Sequence, residues 1–384
     1  MTWWRWKITP LKGILLALFM GSVGAALYRL LAGLGASTNL SDTTPWGLWK
    51  AVDVMIVVPL GASGFTMAFV RYFLKAEKYE YIMRRSVIWA AIAYLSMGVR
   101  LAFDIGLPWR LPYPLIFWGN LHSPLFEVAW CVFIYLIVLF FENVPRLFER
   151  FEARWVARVN HAIHSFAPIF VLVGVLLSTM HQSSLGTLYM ITGKRMDPLW
   201  YHPWLNYIYL LTAIATGLAV AILIEGWSSQ YYQIPFQTRE LAKLAIGAAV
   251  ALSLALVWRL GSLVAEGQIG QIFRPRLEMY LWWVEILVGY VVPIGLIAVR
   301  RVRASRWGLV LAAAGTVAEM ILLRLNVVFT GMAKALGSHY VPSWTEILFT
   351  LGATAGTMVI YTWFVETLPT IQGETLARHG SAAD

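Results

Sequence analysis

The sequence predicts an all-α polytopic membrane protein, about ten transmembrane helices in bundles with both termini cytoplasmic, and three observations carry that expectation. Of the 384 residues 59% are hydrophobic and only 13% charged, far too little polar surface to cover a soluble domain of this size. Apolar runs long enough to cross hydrocarbon, roughly 20 residues at helical rise, recur along the chain. The 19 Trp and 17 Tyr suit head-group level, where an amphipathic ring keeps one edge in water.

Ten runs are expected to span, and no alternating strand pattern competes with them. The first, 13–34, follows Arg5, Lys7 and Lys12 and precedes no small-residue cleavage site, so it reads as a retained span. The second, 51–74, opens after TTPWGLWK and closes on Arg71; the third, 86–103, starts behind Arg84 and Arg85. The fourth is 121–141 and the fifth 163–180, continued by the polar run His181, Gln182, Ser183, Ser184. The sixth, 207–224, follows the turn-rich TGKRMDPLWYHPW, and the seventh is 241–260. The eighth, 279–299, ends on a cluster of arginines from Arg300 to Arg306; 307–325 and 344–365 complete the set.

Most of the 30 Lys and Arg fall on one side of this arrangement, among them Arg84, Arg85, Arg146, Arg150, Arg154, Arg158 and Arg378, and the positive-inside rule makes that side cytoplasmic. Scattered between apolar runs, they do not form the single basic patch that would accommodate nucleic acid. The connections are too short for a soluble module, so residues 1–384 read as one integral membrane domain. Pro45 and Trp46 precede the second span and Pro203 and Trp204 the sixth, a faint sign of repeated four-helix bundles. Cys131 is the one cysteine, which leaves no CxxC metal or iron–sulphur site and no intrachain disulfide.

Placed on this topology, Arg29, Asp53, Arg100, Asp104, Glu127, Arg259, Glu285, Glu319, Arg324 and Glu346 occupy the outer half of their spans, while the inner half has mainly end residues such as Glu225 and Glu366. Charges at membrane depth face the bundle interior and mark ligand or proton routes. Arg100 and Asp104, four apart, share a helix face and can pair with each other. Glu127 is expected six residues, roughly 9 Å, inside its helix, a position that suits a group passing protons. The stretch 170–186, FVLVGVLLSTMHQSSLG, brings an apolar helix into hydrogen-bonding side chains at one membrane face, one wall of a site for an amphiphilic ligand such as a quinone. His122, His202 and His339 near one face and His161 and His164 near the other raise a haem reading, but transmembrane haem needs paired histidines inside facing helices.

The segments TTPWGLWKAVDV (43–54), GVLLSTMHQSSLGTLY (174–189), RLEMYLWWVEILVGYVVP (276–293) and the stretch from RLNVVFTG to SHYVPSWTEI (324–347) resemble the polysulphide-reductase NrfD family of quinone-interacting membrane subunits. Within it the likeness is to the HybB-type subunits of periplasmic nickel–iron hydrogenases, over essentially the whole chain. The resemblance implies a subunit with no haem or iron–sulphur cluster of its own, in the cytoplasmic (inner) membrane of a bacterium or archaeon. It would take electrons from a ferredoxin-like iron–sulphur subunit and the hydrogenase large and small subunits on the outer face, and exchange them with menaquinone or ubiquinone. It further implies proton-moving roles for Glu127 and Glu225, with Tyr94 able to bridge them.

On this reading the quinone enters from lipid near the outer ends of the second to fifth spans, and its head group is held by Asp53, Arg100, Asp104, His181 and Gln182, with His122 as a further candidate. Rival readings are the membrane subunit of a molybdenum-type reductase, a haem cytochrome b, a structural anchor, and a secondary transporter or proton channel. The last usually has a midplane site on broken helices.

Overall fold

The computed structural model describes residues 8–42, 44, 46–117, 119–148, 154–337 and 340–367. Pro45, His339 and the basic residues Arg5, Lys7, Arg150 and Arg378 lie outside them. Among the described residues ten helices are long and apolar enough to span: α1 Pro10–Ala32, α2 Leu48–Tyr72, α3 Glu77–Asp104, α4 Pro124–Asn143, α5 Ser165–Met190, α6 Leu205–Tyr231, α7 Thr238–Ala265, α8 Leu277–Ala298, α9 Arg306–Leu336 and α10 Trp344–Thr367. No strand occurs among the described residues.

Several helices run beyond the apolar stretch that predicts them, and two of these extensions bear on the site. α5 continues to Met190 because its polar residues bond back to their own helix: Thr179 Oγ1 donates to the Val175 carbonyl (2.8 Å), and Ser183 and Ser184 to that of Met180 (2.8 and 2.9 Å). The polar run expected at a membrane face is therefore inside the bundle. α3 begins at Glu77, which puts Arg85 within the helix and not in a basic loop. Arg85 is fully buried, its Nε and Nη2 each 2.7 Å from a carboxylate oxygen of Glu225 on α6. That ion pair also corrects the expectation of an inner half with charges mainly at helix ends.

α2 to α5 pack as one four-helix bundle and α6 to α9 as another, joined where α2 and α5 both lie on α6; α1 and α10 pair with each other along α3. The four-span repeat matches the spacing of the two Pro-Trp signals. Packing between α2 and α3 relies on small residues: a Cβ at Gly61 would come 2.5 Å from the Tyr94 ring, and one at Gly64 2.5 Å from the Ala90 methyl.

Among the described residues three helices contain a π-helical turn, at Ala51–Val57 in α2, Glu285–Val291 in α8 and Asn326–Thr330 in α9. In the first two a proline follows at once, Pro59 and Pro293. Proline has no N–H to give and its ring crowds the carbonyl a turn earlier, a conflict that a widened turn relieves. The turns position Asp53, Glu285 and Asn326, polar residues of the bundle interiors.

Candidate functional site

In the first bundle, Asp53 sits in the π turn of α2, fully buried, with one oxygen 2.5 Å from Nη2 of Arg100 on α3. Neither Asp53 oxygen has directed hydrogen-bond geometry, so the contact is mainly electrostatic. Arg100 Nη1 donates to Thr354 Oγ1 of α10 at 3.3 Å, and Asp104 pairs with Lys50 at 3.6 Å. Arg100 and Asp104 thus each reach across to α2 instead of pairing together, because the π turn brings its start toward the end of α3.

His181 is fully buried and points Nε2 at the Tyr94 hydroxyl, 2.6 Å away, while Nδ1 faces the Leu177 carbonyl. The Tyr94 hydroxyl and His181 Nε2 share a hydrogen bond whose donor follows the imidazole tautomer. Ser178 and Gln182 flank the same hydroxyl. Tyr135 of α4 completes the group, its ring 4.8 Å from Tyr94 and 6.0 Å from His181. Two residues expected in different roles, Tyr94 and His181, are therefore direct partners.

Beside this core, a cavity of about 650 Å³ lies between α1, α3, α4 and α10. Its walls are largely apolar, with Leu95, Leu136, Phe140 and Ile360 among them, and Arg100 brings a charge to it. Ligand sites of this size combine apolar walls with a few placed polar groups. Tyr94, His181 and Gln182 do not line the cavity; they stand behind the α3 and α4 residues that do. It is shared by α3 and α4, two of the second to fifth spans near whose outer ends the quinone is expected to enter, and by α1 and α10.

The remaining predicted residues are elsewhere. His122 is exposed in the turn before α4. Glu127 is in the first turn of its helix, half-buried, its N–H donating to the Ser123 carbonyl at 3.0 Å. The expected depth of six residues is corrected, because Pro124 starts the helix three residues later than the apolar run begins. Glu225 is held by Arg85.

The second bundle has a polar core that the predicted site left out. Glu285 contacts Arg259 and accepts from Trp200 Nε1 (2.8 Å) and Asn326 Nδ2 (2.7 Å). Arg324 lies over the Tyr209 ring, 3.2 Å from its centroid, and donates to the Tyr209 carbonyl and Thr212 Oγ1. The signal was available: four charged residues on three adjacent apolar runs.

Among the described histidines, His122 and His161 are exposed, His202 lies in the α5–α6 connection, and His181 engages Tyr94. That set does not fit two axial histidines on facing helices. The His164 side chain lies outside the described ones. No group of three or more His, Cys, Asp or Glu is placed to hold a metal ion among the described residues.

The family model described as "Polysulphide reductase, NrfD" matches residues 36–335. The chain belongs to the NrfD family. It is 29% identical to the probable Ni/Fe-hydrogenase 2 b-type cytochrome subunit of Escherichia coli, over 89% of this chain and 87% of that one. It is 28% identical to a protein of Nitratidesulfovibrio vulgaris, covering 94% and 93%. The menaquinone reductase integral membrane subunit of the same organism is 35% identical over 52% of this chain and 49% of its own length. As an NrfD protein the chain is a multi-pass integral membrane protein of redox complexes. Despite the cytochrome in one relative's name, its described histidines form no haem pair.

Proposed function

We propose that this chain is the quinone-interacting membrane subunit of a respiratory oxidoreductase, with the quinone tail in the cavity between α1, α3, α4 and α10 and the ring against Arg100. The carrying observation is the meeting, on one wall, of an apolar cavity of about 650 Å³ and the buried Arg100–Asp53 pair. Quinone reduction takes two electrons and two protons. The guanidinium of Arg100 donates to a ring oxygen and stabilises the negative charge that grows there, and the Asp53 carboxylate holds that guanidinium in place. The Tyr94–His181 pair passes a proton from behind, with Gln182 beside the same hydroxyl and Asp104 holding Lys50 at the site's edge. His122 is the exposed candidate at the same end, in the turn before α4. Glu127 at the start of α4 and Glu225 toward the opposite face mark the ends of the proton route.

The electrons come from a ferredoxin-like iron–sulphur subunit on the outer face of a bacterial or archaeal cytoplasmic membrane, and the termini of this chain, a single integral domain, lie inside. A nickel–iron hydrogenase is the catalytic partner; the Escherichia coli relative supports this. The menaquinone reductase relative favours a second reading, the same quinone chemistry beneath another oxidoreductase, such as a molybdenum-type reductase.

Purification of the native complex in mild detergent, with subunit identification and hydrogen-dependent quinone reduction, tests the partner; a molybdenum subunit in place of nickel and iron would move the proposal to the second reading. Two variants test the site. His181→Ala should abolish quinone reduction while hydrogen oxidation by a soluble dye persists, and Ala353→Trp, filling the cavity, should raise KM for quinone. Equal loss of both reactions in the first, or no change of KM in the second, would overturn the assignment.

A further inference from the structure

The second bundle contains four charged side chains with no access to solvent: Arg259 on α7, Glu285 on α8, and Glu319 and Arg324 on α9. Their pairing is lopsided. Glu285 takes Arg259, Trp200 and Asn326. Arg324 spends its hydrogen bonds on the neutral Tyr209 carbonyl and Thr212 hydroxyl, and its Nε and Nη1 lie buried outside hydrogen-bond geometry. Among the described residues no ion pair joins Glu319 to either arginine. Both Glu319 oxygens and the Tyr290 hydroxyl are buried, and none of the three atoms meets hydrogen-bond geometry.

The place of Glu319 is built into the fold. Gly289, in the π turn of α8, lies against Glu319: a Cβ there would come 2.7 Å from its Cα and Cβ and 2.9 Å from its Cγ. Glycine at this position admits the carboxyl between the helices. The charged and titratable groups that act on it electrostatically come from each helix of the bundle: Tyr209 from α6, Arg259 from α7, Glu285 and Tyr290 from α8, and Arg324 from α9 itself. His202 lies beside Arg259 in the connection leading out of the membrane.

Opposite charges held apart in an apolar interior are costly unless water bridges them or a proton neutralises the acid. We propose that the second bundle encloses a proton-exchanging site of its own, in which Glu319 takes up and returns the proton and water joins it to Tyr290, Arg324 and Arg259. The proton passes from bulk water along that chain to a Glu319 oxygen and back, with no bond made or broken except O–H. The site is in a different bundle from the proposed quinone cavity and does not depend on that assignment.

Infrared difference spectroscopy of the full chain, reconstituted in lipid vesicles and stepped in pH, tests this. A carboxylic-acid carbonyl band should rise and fall with pH, shift on transfer to deuterium oxide within minutes, and be lost in Glu319→Gln. Quinone reduction by the complex should survive that substitution, which separates this site from the first. Tyr290→Phe should keep the band and move its midpoint, and it serves equally if Glu319→Gln does not accumulate. A band that persists in Glu319→Gln, that ignores deuterium oxide, or that keeps its midpoint in Tyr290→Phe would overturn the proposal.

Discussion

Gly61→Ala probes the Tyr94–His181 contact without substituting either residue. The new methyl carbon would stand 2.5 Å from Cε2 and 2.8 Å from Cδ2 of the Tyr94 ring. Carbon atoms settle about 3.5–4.0 Å apart, so the ring must retreat by about 1 Å. Starting from 2.6 Å, the hydroxyl then sits about 3.6 Å from His181 Nε2, past hydrogen-bonding range. Two buried polar groups lose their bond, at about 1–3 kcal/mol, and the crowded contact adds a similar amount. The expected destabilisation is about 3 kcal/mol, read from thermal unfolding of the purified protein in mild detergent. Truncating the ring removes the clash, so in a Tyr94→Ala background the same substitution should cost about 0.5 kcal/mol or less. An equal penalty in both backgrounds would refute the reasoning, since the cost would then come from α2 itself.

Other outcomes follow from the buried charges. Arg85→Leu takes two 2.7 Å bonds from Glu225 and should cost about 3–5 kcal/mol, much of it recovered in the Arg85→Leu, Glu225→Leu double variant; no recovery would mean the pair is not the unit that matters. Glu285→Ala removes the acceptor shared by Arg259, Trp200 and Asn326 and should cost as much, whereas Glu285→Gln keeps an acceptor and should cost about 1–2 kcal/mol, both measured by thermal unfolding. His202, between the spans, is pushed down to about 3 from its ordinary 6.5, by burial first and the Arg259 charge second. Below pH 6.5 the unfolded chain takes up a proton that the folded one refuses, so stability should fall toward pH 3 by up to about 1.4 kcal/mol per pH unit. His202→Asn should flatten that slope between pH 6 and 4, and an unchanged slope would assign the effect to other groups.

The helices were legible because spanning hydrocarbon demands long apolar runs, and the four-span repeat left a trace in Pro-Trp pairs at Trp46 and Trp204. Helix ends were harder to read. Hydropathy stops α5 at Met180, yet Thr179, Ser183 and Ser184 turn their hydroxyls to their own backbone and the helix goes on to Met190. Asp53, Arg100, His181 and Gln182 were identifiable as polar residues on apolar runs, but their partners were not. Pairing depends on which helix packs on which, so Arg100 found Asp53 instead of the nearer Asp104, and His181 found Tyr94. Glu127 was misplaced for a simpler reason: the run begun at Leu121 counted His122 and Ser123, which lie in the turn before Pro124, as helix.

The π turns change how these helices can be read and altered. Each admits one residue more than an α-helix would, and one residue is a rotation of about 100° about the axis. The stripes of side chains before and after Ala51–Val57 are therefore out of phase, and a helical wheel drawn through all of α2 smears its buried face over most of the circle. Deleting one residue in that turn would cancel the phase slip. The part of α2 after the turn would keep its packing against α3 and α6, but Asp53 would swing about a quarter turn away from Arg100. A one-residue change in length would then disconnect the acid from the cavity wall while hydropathy, charge and span count stay almost as they were.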